Sequence, residues 1–254
     1  YRLVEGDEVR IPPVRVRQAG EPPPAEKASQ MLAHVIFEDK RLLVLNKPAG
    51  VAVHGGSGVS HGVIELLRHA RPDLEDLALV HRIDRETSGC LVMAKRRCAL
   101  RELPERFREG QVEKNYLALA VGDWQYGEQL IDVPLLVTNR KGGERHVIVS
   151  DKGKDARTRV SLSRTYGIYS LLKCEPESGR THQIRVHLGS IGHPLVGDPT
   201  YGQRRPRLGV ERPFLHAAEL SFEHPSTGEA VTFRSELAAD LAARLATLRP
   251  VPAD

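Results

Sequence analysis

Two short apolar runs, Leu77 to Val80 and Cys90 to Ala94, bracket nine mostly polar residues, His81-Arg82-Ile83-Asp84-Arg85-Glu86-Thr87-Ser88-Gly89. Both runs are rich in apolar residues and lack helical period, so the stretch reads as strand, polar loop, strand, with Thr87-Ser88-Gly89 supplying turn chemistry. Such a loop displays side chains on a rigid scaffold. If the segment entering it is still extended, Arg82 and Asp84 lie two residues apart and point to one side. A carboxylate beside a cation stays ionised, as a nucleophile must. The bland alternative is a solvated loop carrying an i,i+2 ion pair, and spacing does not decide between the two.

The rest of the chain continues in short β-type runs with a few helical stripes. His34 to Phe37 and Leu42 to Leu45, split by Glu38-Asp39-Lys40-Arg41, predict a hairpin closed by Asn46-Lys47-Pro48-Ala49-Gly50. Ser60 is placed to cap a helix with Val63, Ile64, Leu67 and Ala70 on one face. Ala99, Leu100, Leu103 and Phe107 repeat at helical spacing, with a kink or restart expected at Pro104. Leu130 to Val137, Val147 to Val149, Thr158 to Leu162 and Ile168 to Cys174 predict an antiparallel region without chemistry of its own. Phe214 to Phe222 and Glu229 to Phe233 predict a hairpin, and Leu237, Leu241, Leu245 and Leu248 a last helix. At the other end, Gln18 to Gln30, with Pro22-Pro23-Pro24, reads as an extended linker after a remnant at Tyr1 to Arg17, so the domain boundary is expected near residue 30. A chain that begins with Tyr1 rather than Met reads as part of a longer product.

Charge narrows the function classes. Lys+Arg 37 against Asp+Glu 33 gives a net charge of +4 and a pI near 9.0, a mild excess that suits a polyanionic partner. Arg supplies 28 of those cations; it grips phosphate in a fork and stacks on bases, although GC-rich coding produces the same bias. Cys90, Cys98 and Cys174 show no C-x-x-C spacing, which predicts a reduced cytoplasmic protein, and no apolar run approaches the ~18 residues of a membrane span. The glycine-rich stretch Val53 to Gly58 lacks the G-x-x-x-x-G-K-[ST] pattern, and His182, His187, His193 and His216 match neither H-E-x-x-H nor a zinc finger. Neither a nucleotide nor a metal is expected. Arg204-Arg205-Pro206-Arg207 is either a solvated basic loop or a phosphate contact.

Two further segments carry candidate chemistry. In Lys114-Asn115-Tyr116-Leu117-Ala118-Leu119 the tyrosine stands at a strand start, ordinarily a core or rim position. Its ring can also stack on a base, and its phenol is a candidate proton acceptor. In Gly179-Arg180-Thr181-His182-Gln183-Ile184-Arg185-Val186-His187, Thr181 can cap a helix whose apolar face is Ile184, Leu188 and Ile191, leaving Arg185 off that face.

Residues 81 to 89 resemble the H-R-L-D-x-x-T-S-G signature of the RluA-type pseudouridine synthases, with Ile83 in place of the usual Leu. Residues 46 to 58 resemble the N-K-P-x-G…H-G-G-S-G segment of that family, 114 to 118 its K-x-Y-x-A, 179 to 187 its G-R-T-H-Q-I-R-x-H without a departure, and Gly197 to Gly202 its G-D-x-x-Y-G turn. Tyr1 to Arg17 is similar to the closing segment of an S4-type RNA-binding domain, and residues 31 to 249 to one catalytic domain. The resemblance implies an α+β pseudouridine synthase fold, a central, mostly antiparallel mixed sheet flanked by helices and loops around a catalytic cleft. It implies isomerisation of several uridines of 23S rRNA to pseudouridine, with Asp84 catalytic, Arg185 paired to it, and Tyr116 stacking on the base and taking the C5 proton. Arg82 would fill the space of a flipped-out uridine, and His81, Thr87, Arg180, His182 and Gln183 would contact the substrate. It further implies no cofactor or metal, no membrane, and a monomer acting in the cytoplasm. Two other readings stand beside it. One is a non-catalytic RNA-binding ribosome-assembly factor; the other is a carboxylate-pair glycosidase using Asp84 and Glu86, disfavoured by an aromatic content of only 5%.

Overall fold

Leu42, Leu43, Val44 and Leu45 are all wholly buried, so the strand they form shows no polar alternation: packed layers cover both of its faces. The computed structural model describes residues 22–56, 59–74, 76–139, 145–202 and 208–251. The S4-like segment, the start of the linker, Ser57-Gly58 and the basic run at 204–207 lie outside the described residues. In chain order the elements are α1 (Ala25–Leu32), β1 (Val35–Glu38), β2 (Leu42–Lys47), α2 (Val63–Ala70), β3 (Ala78–Leu79), β4 (Ser88–Ala94), α3 (Arg97–Arg108) and β5 (Glu113–Val121). They continue as β6 (Gln129–Asp132), β7 (Leu135–Asn139), β8 (Arg145–Val149), β9 (Arg157–Thr165), β10 (Tyr169–Pro176), α4 (Gln183–Ser190), β11 (Leu215–Glu223), β12 (Ala230–Arg234) and α5 (Ala239–Leu245).

One sheet runs β1-β2-β4-β11-β5-β10-β9-β6, with β3 added to β4 and β12 to β11. Every pairing in it is antiparallel except β4 with β11, so the sheet is mixed and mostly antiparallel, as expected. The parallel step is short, His216 opposite Ser88 and Ala217 opposite Gly89. Gly89 has φ +111°, and a Cβ there would lie 2.2 Å from the Ala217 carbonyl oxygen. Only glycine permits that approach, which explains why a glycine closes the polar nonapeptide.

Four apolar clusters sandwich the sheet. On one half, α1 and α2 cover Leu43, Leu45, Leu91 and Met93, while α3 covers Leu42, Val44, Val92 and Ala94 on the reverse. On the other half, Ile184 and Leu188 of α4 cover Ala118, Ala120 and Leu172, and Leu241 of α5 meets Leu119, Val121 and Leu171 behind. Tyr116 packs against both the α1/α2 cluster and the α4 cluster, which puts it on the seam between the halves.

Several local expectations give way to packing. α1 occupies the second half of the expected linker, and Ala28 and Met31 bury against α2, so the folded body begins at Ala25 rather than beyond residue 30. α2 starts after Gly62, not Ser60; the Glu65 carboxylate accepts from the Gly62 N–H at 2.8 Å and the Gly55 N–H at 2.9 Å. α3 runs unbroken through Pro104, because burial of Ala99 and Leu103 outweighs the ~3 kcal/mol cost of an interior proline. The run from Leu130 to Val137 divides at Val133-Pro134, its first part entering the main sheet and its second pairing with β8 in a separate ribbon.

Candidate active site

The loop into β4, the loop into α4 and the first residues of β5 enclose a cavity of about 350 Å³ at the seam. His81, Arg82, Asp84, Thr87, Tyr116, Arg180, His182 and Gln183 all line it, whereas Arg185 is buried beside Asp84. Glu86 does not reach it, so the cavity lacks the Asp84/Glu86 carboxylate pair that a glycosidase would need.

Arg185 Nη1 stands 3.8 Å from Asp84 Oδ2, with 8% of the arginine side chain exposed against 21% of the aspartate. The cation beside Asp84 is therefore Arg185. Arg82 is exposed and makes no ion pair among the described residues, contrary to the i,i+2 expectation. Nor is Asp84 the main partner of Arg185. Its Nε and Nη2 donate to the two carboxylate oxygens of Asp198 at 2.7 and 2.9 Å, and its guanidinium lies 5.1 Å from the centre of the Tyr201 ring. A bidentate pair of this kind fixes a guanidinium in orientation as well as charge. Burial pushes the Asp198 carboxyl up, but Arg185 and the N–H groups of Thr200 and Tyr201 outweigh it and leave the carboxyl below its ordinary value. Asp84 thus meets the spare edge of a guanidinium that a second carboxylate already holds.

The backbone of the Asp84 loop is braced from both sides. Lys47 is fully buried and donates to the carbonyls of Pro48, Val51 and Arg85 at 2.7, 2.8 and 3.0 Å. Burial pushes its ammonium down to about 7, against the pull of Glu86. Gly50 N–H adds a bond to the Arg85 carbonyl at 2.9 Å. Arg212, held by Asp240, donates to the Glu86 carbonyl at 3.0 Å. Thr87 is buried and its N–H closes the turn onto the Asp84 carbonyl at 3.1 Å. His81 pins the loop to the sheet: its Nε2 accepts from Val92 N–H at 2.9 Å and its ring stacks on Phe107 at 4.3 Å. Burial drives His81 down to about 3, so the ring is neutral.

The loop before α4 is built around Gln183, not around Thr181. Gln183 Oε1 accepts from Ser178 Oγ and Arg180 N–H, and its Nε2 donates to the Arg157 carbonyl and Thr158 Oγ1. These four bonds use every donor and acceptor of the amide, so the Gln183 side chain holds the shape of the cavity wall. Gln183→Leu leaves those partners unpaired; we expect a loss of about 2–4 kcal/mol, read as a Tm fall of roughly 5–15 °C, with a weakened KM for RNA. His182 precedes the helix at φ 54°, a left-handed conformation that costs ~1–3 kcal/mol and is typical of functional sites. Tyr201 Oη accepts from Val147 N–H at 3.0 Å and meets His182 Nδ1 at 3.0 Å. The phenol thus ties the His182 ring to the β8 backbone. Arg180 is exposed and anchored through Nε to the Asp155 carbonyl at 2.9 Å.

Tyr116 stands at the start of β5 and lines the cavity. Burial first, and then the Asp84 charge, push its phenol well above the ordinary value. Lys47, Asp198, Tyr201 and Arg212 went unassigned in the sequence. The G-D-x-x-Y-G turn marked Asp198 and Tyr201, and N-K-P marked Lys47, without indicating what they hold; nothing around Arg212 distinguishes it from a solvated arginine.

The profile of the RNA pseudouridylate synthase family matches residues 41–190, which include Asp84, Tyr116 and Arg185. The chain is 48% identical to "Ribosomal large subunit pseudouridine synthase C" of Pasteurella multocida over 98% of its own length and 79% of that protein. It is 47% identical to the protein of the same name from Escherichia coli K12, over 98% and 81%. Among solved structures it is similar to human RNA pseudouridylate synthase domain containing 4, with TM-score 0.74 and 25% identity across 91% of this chain and 98% of that one. Human RNA pseudouridylate synthase domain containing 1 matches with TM-score 0.67 and 28% identity, across 85% and 88%. The chain belongs to the RNA pseudouridylate synthase family.

Proposed function

We propose that the protein isomerises uridines of 23S ribosomal RNA to pseudouridine, with Asp84 as the catalytic group. The observation that carries this reading is a carboxylate, Asp84, lining a nucleoside-sized cavity 3.8 Å from a buried guanidinium, in a chain nearly half identical to large-subunit rRNA pseudouridine synthases. The reaction breaks the N1–C1′ bond, turns the uracil over, and forms C5–C1′; C5 gives up a proton and N1 takes one, so every other atom is retained. One carboxylate suffices for the central step, as an oxygen able to attack the sugar carbon or the ring, or to remove the 2′ hydrogen. Arg185, locked by Asp198, aims that oxygen, and Tyr116 offers a ring to the displaced base. His182 and the loop cations Arg82 and Arg180 supply polar groups around it.

A uridine within folded RNA must leave its stack at a cost of a few kcal/mol. Arg82 fills the vacated space, a role supported by its exposure and its position in the cavity lining. Arg82→Ala is expected to leave Tm unchanged and to lower activity about tenfold or more on folded rRNA while sparing a short single-stranded RNA. Equal losses on both would make Arg82 an ordinary phosphate contact.

The protein acts as a monomer in the cytoplasm, where its three thiols stay free. Mapping pseudouridines in 23S rRNA from cells lacking it tests the function: sites must disappear and return with the intact gene. An unchanged map, with salt-sensitive rRNA binding retained, would favour a non-catalytic assembly factor.

A further inference from the structure

The Asp84 cavity adjoins a second one of about 570 Å³. Both fall in the ~300–1,000 Å³ range of small-molecule sites, and Lys114 lines both. It lies two residues before Tyr116 on β5, so the two side chains leave the same side of the strand. Only 8% of Lys114 is exposed, yet its ammonium makes one protein hydrogen bond among the described residues, a long one of 3.5 Å to the Ser178 carbonyl. Glu177, the carboxylate that acts on it, is tied instead to Arg159 at 3.3 Å. A lysine so deeply buried is ordinarily paired with a carboxylate. Burial pushes this one down to about 8 against the pull of Glu177, as expected of an ammonium that has lost water without gaining a carboxylate in contact.

The anion that would complete it must lie between the two cavities. Glu109, Glu113, Glu175 and Glu177 line the second cavity against Arg108, Lys114 and Arg159, so carboxylates outnumber cations there and a bare phosphate is disfavoured deep inside it. Those carboxylates suit instead the amino-bearing edge of a base. Resting on the function proposed above, we propose that Lys114 binds the phosphodiester linking the target uridine to a neighbouring nucleotide, whose base occupies the second cavity. Arg108 also lines both cavities but is exposed; a phosphate contact in water is screened, whereas one at Lys114 is not.

The test uses the full chain and an RNA oligonucleotide substrate in which the linkage on the 5′ or the 3′ side of the target uridine is an uncharged methylphosphonate. For one of the two linkages, the substitution is expected to weaken wild-type Kd tenfold or more. The same substitution should change the Kd of Lys114→Gln and of Lys114→Met by less than twofold. On unmodified RNA the slope of log Kd against log salt should fall by about one in both variants, and Lys114→Arg should keep the wild-type pattern. Lys114→Met removes the buried charge and keeps an unbranched apolar stem, so it stands in for Lys114→Gln should the glutamine variant fold poorly. The proposal is overturned if methylphosphonate at either linkage costs the variants as much as it costs wild type, or if neither linkage matters to wild type. Because Kd is read without turnover, wild-type protein that binds but forms no pseudouridine would defeat the function reading and leave this result standing on its own.

Discussion

Asp84→Asn is expected to abolish pseudouridine formation, lowering kcat by at least about 10⁴-fold, or roughly 5 kcal/mol of transition-state stabilisation. The amide keeps the shape of the side chain and removes the negative charge. Structure should survive, because Asp84 is the minor partner of Arg185: the bidentate pair with Asp198 remains, so no buried charge is orphaned. Nucleoside composition of treated rRNA, measured beside Tm and RNA affinity, separates this outcome from unfolding. Turnover within tenfold of wild type would remove Asp84 from the chemistry.

The second large effect falls on a residue that touches no substrate. Asp198→Ala leaves the Arg185 guanidinium, 8% exposed, without its two charge-assisted bonds. Breaking a buried pair from one side costs about 3–5 kcal/mol, which for a chain of this size is a Tm fall of roughly 10–15 °C. The freed guanidinium has Asp84 as its remaining carboxylate, and closing that 3.8 Å gap would tie down the reactive oxygen. Activity should therefore fall further than the folded fraction alone explains. Acid dependence checks the cause. Asp198 is held below its ordinary pKa, so its stabilisation is present above the unfolded carboxylate value and is lost as pH falls through the folded one. Wild-type Tm should drop below about pH 4, and Asp198→Ala should lose that part of the drop. Parallel acid profiles would contradict the pairing.

What was legible in the sequence divides along a physical line. Strands buried on both faces announce themselves as unbroken apolar runs, so β2, β4 and β10 were readable. The polar segments between them located the cavity wall, since side chains that line one cavity came from loops with distinctive composition. What the sequence could not convey is how hydrogen-bonding capacity is spent. Gln183 looks like an uncommitted amide until its four partners are seen, and Lys47 looks like a loop lysine until three carbonyls are found around it. The Arg82–Asp84 pair was inferred from strand geometry at a place where the chain has already left the strand. Capping was misplaced at Ser60 and Thr181 for a related reason: a carboxylate within the helix serves one start, and a left-handed histidine the other.

All of this rests on one carboxylate moving a uracil from N1 to C5 without releasing it. RNA labelled with tritium at uracil C5 reports that step, because C5 must lose its hydrogen when it joins the sugar. Purified protein is predicted to release tritium in proportion to the pseudouridine formed, and Asp84→Asn to release none. Free uracil in the product, or pseudouridine formed equally well by Asp84→Asn, would contradict the account.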